Sequence, residues 1–330
     1  MKRIIFFAAI TMATASLFSC QNKASDTHKG DGPSLRTDSA NDAIEIALLP
    51  TIDCLPFYAA EDMGLFDSLG VHVRLKTYQA AMDVDTAFCD STADACVTDL
   101  VKLNHWISRG DSVCAILFAD LRLDLVTSPQ ARIRDPQGLK EKIVAVTRNS
   151  ALDFMADQVL TQARLGLDKL NRPQINDIAL RTQMVNQNQY DGAFLPEPYA
   201  TLAENQGARR IANLGQLKAQ PMLALVVRTR TAQTERKRLQ LIIQAYDEAV
   251  RRINQTRKKE PLKLLRLIPL ACDMPDSLAS IPAFGYATDS LPQTLEDSIE
   301  SWLRRRGLLQ RKPTVPTLTG TDTQQTHTRR

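Results

Sequence analysis

Residues 190–200 read YDGAFLPEPYA, and this stretch gives the clearest indication of the fold. Gly192–Leu195 is a short apolar run that predicts a buried strand, and a helix is expected to begin near Tyr199. Between them, a Pro-Glu-Pro turn holds the carboxylate of Glu197 between two rigid residues. In α/β proteins, ligands bind where a strand ends just before a helix. The stretch therefore predicts one wall of a preformed pocket, with Glu197 as a candidate ligand contact.

Strand-like and helix-like segments alternate through the rest of the chain. The expected strands cover 44–49, 71–78, 93–97, 113–119, 123–128, 142–147, 175–181 and 222–228. The expected helices cover 56–69, 82–89, 99–108, 151–165, 234–257, 261–271 and 291–306. This alternation predicts an α/β fold with largely parallel sheets.

Three other strand-to-helix joints carry residues suited to a ligand site. The candidate ligand contacts are Asp53, Cys54 and Phe57 at the first joint, Thr98 and Asp99 at the second, and Arg148, Asn149 and Ser150 at the third. Each joint exposes backbone N–H groups at a helix N-terminus, which can bind an anion or the polar edge of a ligand. Ordinary helix capping is the alternative for any one joint, and Asp99 in particular suits an N-cap. Four such joints in one fold favour a shared site.

The charges of these candidates point in two directions. Arg148 can pair bidentately with a carboxylate, a sulfonate or a phosphate, with a plain surface arginine as the alternative. Asp53, Asp99 and Glu197 favour a ligand with N–H donors or positive charge, such as a pyrimidine or an amine. The sign of the ligand's charge therefore stays open.

The composition is that of a globular protein with about two domains. The chain has 330 residues, of which 44% are hydrophobic and 24% are charged, and its formal net charge is +4. Nucleic-acid binding is disfavoured, because only 5% of the residues are aromatic and no recognition motif is present. The four histidines have no local spacing and the cysteines form no CxxC motif, so no metal or other cofactor is expected.

Residues 1–20 have the features of an export signal. Two basic residues precede an apolar run at 4–17, which is short for a membrane span. The run leads into Leu-Phe-Ser-Cys, which resembles a bacterial lipobox, in which cleavage leaves Cys20 as the first residue with lipid on its sulfur. An ordinary secretory signal is the alternative, and either signal exports the protein. Five cysteines remain besides Cys20, so at least one thiol is unpaired, and Cys89 and Cys96 are a candidate pair.

Five segments, taken in chain order, resemble a known family. They are LPFYAAEDMGLF at 55–66, VHVRL at 71–75, DACV at 94–97, LKEKIVAV at 139–146 and DGAFLPEPY at 191–199. Together they cover about residues 44–230, and they resemble the solute-binding proteins of bacterial ABC importers for nitrate, taurine, aliphatic sulfonates and thiamine precursors. Each segment alone is a weak indication, and five in order behind a lipobox are a more specific one.

The resemblance implies a two-lobed periplasmic binding protein type II fold, with the ligand cleft between the lobes. Lobe one would hold residues 43–127 together with 222–310, and lobe two would be the insert at 128–221. Residues 21–42, which almost lack large apolar side chains, are expected to form a flexible tether. Residues 311–330 are rich in Thr, Gln, Pro and Arg and are expected to form a disordered tail.

The resemblance also implies a function, that of the extracytoplasmic solute-binding component of an ABC importer. The protein would be a monomer in the cell envelope, held by lipid on Cys20 at the periplasmic or outer side of a bacterial membrane. It would capture a small polar nutrient by hinge closure and dock on a permease and its ATPase. The implied nutrients are a sulfonate, nitrate, or a thiamine or pyrimidine precursor.

Two other classes of function stand as alternatives. Some relatives make the pyrimidine of thiamine, and similarly folded proteins dehydrate a menaquinone precursor, so the fold can carry an enzyme. The pyrimidine-forming relatives use a histidine and a cysteine cluster, whereas the proposed ligand loops of this chain contain no histidine and its cysteines are not clustered. No catalytic residue and no enzymatic activity are therefore expected. The third class is an exported sensor or scaffold that works without a permease.

Overall fold

The computed structural model describes residues 43–213, 221–269 and 281–318, which form two five-stranded sheets with helices packed on them. The strands are β1 (Ile44–Leu48), β2 (Val73–Thr77), β3 (Ala95–Asp99), β4 (Val113–Ala119), β5 (Asp124–Thr127), β6 (Lys142–Ala145), β7 (Leu170–Asn171), β8 (Gly192–Leu195), β9 (Arg209–Asn213) and β10 (Leu223–Arg228). The helices are α1 (Leu55–Asp62), α2 (Leu65–Ser68), α3 (Ala81–Cys89), α4 (Leu100–Arg109), α5 (Ala151–Gln162), α6 (Ile178–Asn186), α7 (Tyr199–Asn205), α8 (Thr229–Thr234), α9 (Arg236–Thr256), α10 (Pro261–Leu265) and α11 (Gln293–Arg305). The expected α/β fold is confirmed. The export signal, Cys20 and the tether lie outside the described residues.

The first sheet has the strand order β2-β1-β3-β10-β4. β1 runs parallel to β2 and β3, whereas β10 lies antiparallel between β3 and β4. β10 reads LALVVR and five of its six residues are buried, as expected of a central strand that is covered on both faces. Helices α1 and α9 pack together over this sheet, with the rings of Phe57 and Tyr246 5.1 Å apart.

The second sheet has the strand order β7-β6-β8-β5-β9. β6 runs parallel to β7 and β8, whereas β5 is antiparallel to β8 and β9. Both sheets are therefore mixed: in each, four of the five strands run in the same direction, as expected of largely parallel sheets, and one strand is reversed. The reversed strands, β5 and β10, are the first that the chain enters each time it crosses from one sheet to the other.

The crossing between the sheets differs from the expected lobe boundary. Asp124 on β5 lies opposite Leu195 on β8, so this strand belongs to the second sheet. The expected boundary after residue 127 therefore falls one strand too late. A short apolar run predicts a strand but does not show which sheet the strand joins.

The expected strand at 175–181 is wrong, because α6 begins within it. The carboxylate of Asp177 accepts a hydrogen bond from the backbone N–H of Leu180 at 2.7 Å, which makes Asp177 the N-cap of the helix. The buried residues of α6 follow helical spacing, and they are Ile178, Arg181, Thr182 and Val185. Two of these four inward residues are polar, which concealed the helical period from a search for apolar residues.

The expected disordered tail is wrong for residues 311–318. The carbonyl of Pro316 accepts a hydrogen bond from the N–H of Ala115 on β4 at 2.9 Å, and Leu318 is buried in the core. β4 is the edge of the first sheet, so its backbone offers free partners to a passing segment. Residues 319–330 lie outside the described residues.

The described cysteines are unpaired. Cys54, Cys89, Cys96 and Cys114 are free thiols, so the candidate pair of Cys89 with Cys96 does not form. Cys96 is buried in β3, whereas Cys89 is exposed at the end of α3, which explains why they do not meet. Within the ranges that the structure describes, no helix is both long and apolar enough to cross a membrane.

Candidate functional site

A cavity of about 70 Å³ lies between the two sheets, where the strand-to-helix joints of both face each other. Its wall is built from the ends of β1, β3, β6 and β8, together with the first turn of α6. The polar residues that line it are Thr51, Asp53, Asp99, Thr147, Ser150, Asn176 and Arg181. Residues from all four strand-to-helix joints therefore line this cavity.

Four of the nine predicted contacts line this cavity, and they are Asp53, Cys54, Asp99 and Ser150. At the fourth joint, Pro196 lines the cavity and its neighbour Glu197 does not. The remaining predicted contacts have other surroundings. Phe57 is buried against Tyr246 in the core of the first sheet.

The other predicted contacts bond away from the cavity. The hydroxyl of Thr98 donates to a carboxylate oxygen of Asp85 at 3.4 Å. Arg148 is exposed, and its guanidinium donates to the carbonyl oxygen of Arg172 at 3.1 and 3.2 Å. Asn149 is also exposed, with its N–H bonded to Asp153 at 3.2 Å.

The carboxylate of Glu197 is held within its own part of the fold. It accepts from the N–H and the hydroxyl of Thr201 at 3.2 and 3.0 Å. It also forms an ion pair with Arg210 on β9 at 2.8 Å. The side chain of Glu197 therefore bonds to residues of α7 and the second sheet, whereas its main-chain carbonyl faces the first sheet.

Asp53 is a buried carboxylate that is only half satisfied. The residue is 3% exposed, and its Oδ1 accepts from the backbone N–H of Arg122 at 3.1 Å and from Nη1 of Arg122 at 3.3 Å. Its Oδ2 is buried and has no hydrogen-bond partner. Burial raises the pKa of Asp53 to about 7, although the nearby Arg122 opposes that shift.

Asp99 both caps a helix and joins the two sheets. Its Oδ1 accepts from the N–H groups of Val101 and Lys102 in the first turn of α4, as the capping alternative predicted. The same oxygen accepts from the N–H of Ala151 at the start of α5, at 3.0 Å. Burial raises the pKa of Asp99 to about 6, against the pull of Lys102.

Ser150 and Cys54 complete the group of predicted residues in the wall. The hydroxyl of Ser150 donates to the carbonyl of Thr147 at 2.6 Å and accepts from the N–H of Leu152 at 3.2 Å, so it caps α5. Burial raises the pKa of the Cys54 thiol to about 12. Cys54 is therefore a protonated thiol at neutral pH and lacks the thiolate that a nucleophile needs.

Arg181 is a buried residue of the cavity wall that the sequence did not reveal. It is 2% exposed, and its Nη1 donates to the carbonyl of Ile175 at 2.9 Å and to the hydroxyl of Thr147 at 3.3 Å. Its Nε is buried without a hydrogen-bond partner. Burial lowers the pKa of Arg181 to about 10, so the side chain stays charged at neutral pH. The cap at Asp177 and the spacing of the inward residues were the signals for its position.

Hydrogen bonds between the sheets surround the cavity. The N–H of Ile52 donates to the main-chain carbonyl of Glu197 at 2.8 Å, and the N–H of Ile178 donates to that of Gln79 at 3.3 Å. The bond from Ala151 to Asp99 is the third. These contacts hold the two walls of the cavity together.

The side chains at this site do not form a metal centre. Among the residues that the structure describes, no three His, Cys, Asp or Glu side chains lie where they could hold a metal ion together. Most of the cavity surface is apolar, and a buried carboxylate, a buried guanidinium and hydroxyl groups lie among the lining residues. Apolar walls with a few polar groups are typical of sites that bind small molecules.

Comparisons with known proteins agree with this architecture. The model of a family described as NMT1/THI5 like matches residues 51–255. The alkanesulfonate-binding protein SsuA from Xanthomonas axonopodis pv. citri, bound to MOPS, has a TM-score of 0.70 at 14% identity, over 83% of this chain and 96% of that chain. A zinc-bound ligand-binding component of an ABC-type import system from Staphylococcus aureus has a TM-score of 0.68 at 13% identity, over 83% and 94%.

A third similar structure has a different solute. The periplasmic nitrate-binding protein NrtA from Synechocystis PCC 6803 has a TM-score of 0.64 at 14% identity, over 81% of this chain and 82% of that chain. Among curated proteins, none matches this sequence. At these low identities, the structural likeness shows the fold.

Proposed function

Because the chain belongs to the NMT1/THI5 like family, we propose that it is the solute-binding component of an ABC importer. One observation carries the proposal: the strand-to-helix joints of two separate sheets enclose a single small cavity. The similar structures include an alkanesulfonate-binding protein and a nitrate-binding protein, which supports a small polar solute. A sulfonate, nitrate and a pyrimidine precursor are the solute classes to test.

The two sheets define the two lobes, and the chain passes between them twice. Such a pair of crossings allows hinge motion of one lobe against the other. A cavity of about 70 Å³ has room for only a few water molecules. A solute therefore enters when the lobes are apart and is buried when they close, and the closed form presents a surface to the permease and its ATPase.

The proposed solute contacts are the four predicted residues that line the cavity, together with Arg181. Lipid on Cys20 holds the monomeric protein at the periplasmic or outer side of a bacterial membrane, which suits delivery to a permease. A non-enzymatic role is supported by the protonated thiol of Cys54. It is also supported by the cavity wall, in which none of the described lining residues is a histidine.

A solute screen tests the proposal. Sulfonates, nitrate, pyrimidines and amino compounds are added to the mature protein, and the melting temperature is followed as the concentration of each compound rises. A true ligand raises it by mass action, with about 2.7 kcal/mol of added stability at one hundred times its Kd. A surface variant, Glu248→Gln, is the control and should respond as the wild type does.

The opposite result has a clear meaning. If no compound shifts the melting temperature of a folded protein, the import function is contradicted and an exported scaffold is favoured.

The lipid anchor is tested separately, because Cys20→Ala should release the protein from the membrane pellet. Unchanged pelleting of that variant would contradict lipid attachment at Cys20.

A further inference from the structure

The outer edge of the first sheet is covered by a segment near the C-terminus of the chain. β4 forms this edge, and its inner side pairs with β10. The N–H of Ala115 on β4 donates to the carbonyl of Pro316 at 2.9 Å, and Thr317 lies in parallel register with Ala115. Residues 311–318, which we name the strap, therefore add one further β-bridge to the sheet.

The sequence of β4 explains why its edge needs a cover. Val113–Ala119 reads VCAILFA, with no charged residue and no proline, and six of its seven residues are buried. An apolar strand of this length with open backbone groups is a template for pairing with another chain. The end near Phe118 is closed by Thr288, whose N–H and carbonyl bond to the carbonyl and the N–H of Phe118. The end near Ala115 is closed by the strap.

The strap is anchored through side chains at both of its ends. Nε of Arg311 donates to the carbonyl of Ile107 at the end of α4, at 3.0 Å. Leu318 is 4% exposed and belongs to the core between the first sheet and α9. Between these two anchors, Val315 packs against the core on the other face of the sheet. The strap therefore passes over the sheet edge from one core to the other.

The strap itself is a poor template for a further strand. Pro313 and Pro316 have no N–H, so the strap has two donors fewer than an ordinary strand and does not extend into a regular ladder. Proline at a sheet edge is one of the devices that keep the edge from pairing with another chain. The strap therefore covers β4 without creating a second apolar edge.

We propose that the outer edge of β4 is a strand-docking site, which the strap fills in the monomer and a second copy of this chain fills when the strap is absent. Two uncovered edges meet β4 to β4 about a two-fold axis, because a symmetric dimer places the same surface of each copy in the contact. β4 has no charged residue, so the two strands meet without charge repulsion. Each strand then supplies the backbone partners that the strap supplied to the other.

Two truncations of the mature chain, followed by light scattering, test the docking site. Ending the chain at Leu318 keeps the strap and should leave the protein monomeric. Ending it at Gln310 removes the strap, and the measured mass should rise with protein concentration to roughly twice that of the monomer. A reducing agent is present throughout, because Cys89 is an exposed free thiol that can link two copies.

Amide hydrogen exchange locates the contact in the dimer. The N–H of Ala115 should stay protected there, because β4 of the second copy replaces the strap. In the chain that ends at Gln310, studied at high dilution, this N–H should exchange faster than in the chain that ends at Leu318. A dimer in which residues 113–119 exchange as fast as in the diluted monomer is held by a different surface and overturns the inference.

A synthetic peptide of residues 308–318 tests the same site in trans. Added to the chain that ends at Gln310, it should bind and return the mass to that of the monomer. The same peptide with Leu318→Asp should do neither, because the new carboxylate is costly to bury. A peptide with Thr314→Asp is the matched control and should act as the unmodified peptide does, because Thr314 is exposed.

The remaining outcomes are also decisive. A folded chain that ends at Gln310 and stays monomeric at every concentration overturns the inference, and so does association that the peptide does not reverse. If that chain fails to fold, full-length Leu318→Asp takes its place, with full-length Thr314→Asp as the control. Association of Leu318→Asp alone supports the docking site, whereas a Leu318→Asp variant that is monomeric or also fails to fold overturns it. The solute-binding proposal is tested separately, because none of the described residues that line the cavity belongs to the strap.

Discussion

Two groups of charged residues in this protein, each with at least one buried carboxylate, differ in how completely their polar atoms are hydrogen-bonded. The cavity holds Asp53 and Arg181, each with an open polar atom. The second group, which we name the outer charge cluster, joins α5 to α11 and to the segment after α5. Its members are Asp153, Asp157, Arg172, Trp302 and Arg306.

Every carboxylate oxygen in the outer charge cluster has a donor. Asp157 accepts from Arg172 at 2.7 Å, from the indole N–H of Trp302 at 2.7 Å and from Arg306 at 3.0 Å. Burial alone would raise its pKa, but these donors outweigh burial and hold the pKa of Asp157 below its ordinary value. For Asp53 burial outweighs the one nearby arginine, and its pKa is raised to about 7.

The difference separates charges whose hydrogen bonds are complete from charges with an open polar atom. The carboxylates of Asp153 and Asp157 are buried, as Asp53 and Arg181 are, so burial by itself does not identify a site. α11 also contacts α4, so the outer charge cluster ties the helices of the two sheets together and its completeness serves stability. The open atoms of the cavity give up stability, which is expected where a ligand is to be bound.

The largest effect is expected from breaking the outer charge cluster. Asp157→Ala leaves Arg172, Trp302 and Arg306 without their shared acceptor, and the free energy of unfolding should fall by about 3 kcal/mol. Chemical denaturation measures the change. Glu248→Ala is the matched control, because Glu248 also meets two arginines but on the exposed face of α9, and its loss should have a much smaller effect. Equal losses in the two variants would contradict the comparison.

The next effect concerns pH and the cavity carboxylate. The pKa of Asp53 in the folded protein is raised from 3.8 to about 7, so folding holds its proton more tightly. The stability that this provides is complete below pH 3.8 and is lost as the pH rises to about 7. Asp53→Asn should therefore gain stability relative to the wild type as the pH rises, by at most about 1.4 kcal/mol per pH unit between pH 5 and 7.

Asp157→Asn provides the contrasting measurement. Because the folded-state pKa of Asp157 is lowered, its contribution is present above pH 3.8 and is lost only as the pH falls further. Between pH 5 and 7 its difference from the wild type should be constant. Thermal unfolding over this range distinguishes the two carboxylates, and a flat profile for Asp53→Asn would contradict the account of the cavity.

The helices and strands that could be predicted from the sequence are those in which a single pattern, such as an apolar run or a turn motif, dominates. The apolar run of β8 and the proline turn after it specify a strand followed by a helix, and the structure has both. The position of Arg181 was not predictable from apolar spacing, because polar residues fill half of the inward face of α6. Contacts between residues far apart in the chain could not be predicted either, since Asp53 is hydrogen-bonded to Arg122 at a separation of 69 residues.

The smallest effect on solute binding is expected at Glu197, the most conspicuous acid in the sequence. Its carboxylate bonds to Thr201 and Arg210, so Glu197→Gln should cost about 1 kcal/mol of stability through the weakened pair. Affinity for the solute found in the screen should change by less than about twofold, because the Ile52 N–H bonds to the main-chain carbonyl of Glu197, which the substitution keeps. A tenfold loss of affinity at unchanged stability would instead show that Glu197 contacts the solute, although its carboxylate is fully hydrogen-bonded in this structure. The retained affinity that we expect would mean instead that Glu197, whose carboxylate is fully hydrogen-bonded, builds the frame of the cavity and does not contact the solute.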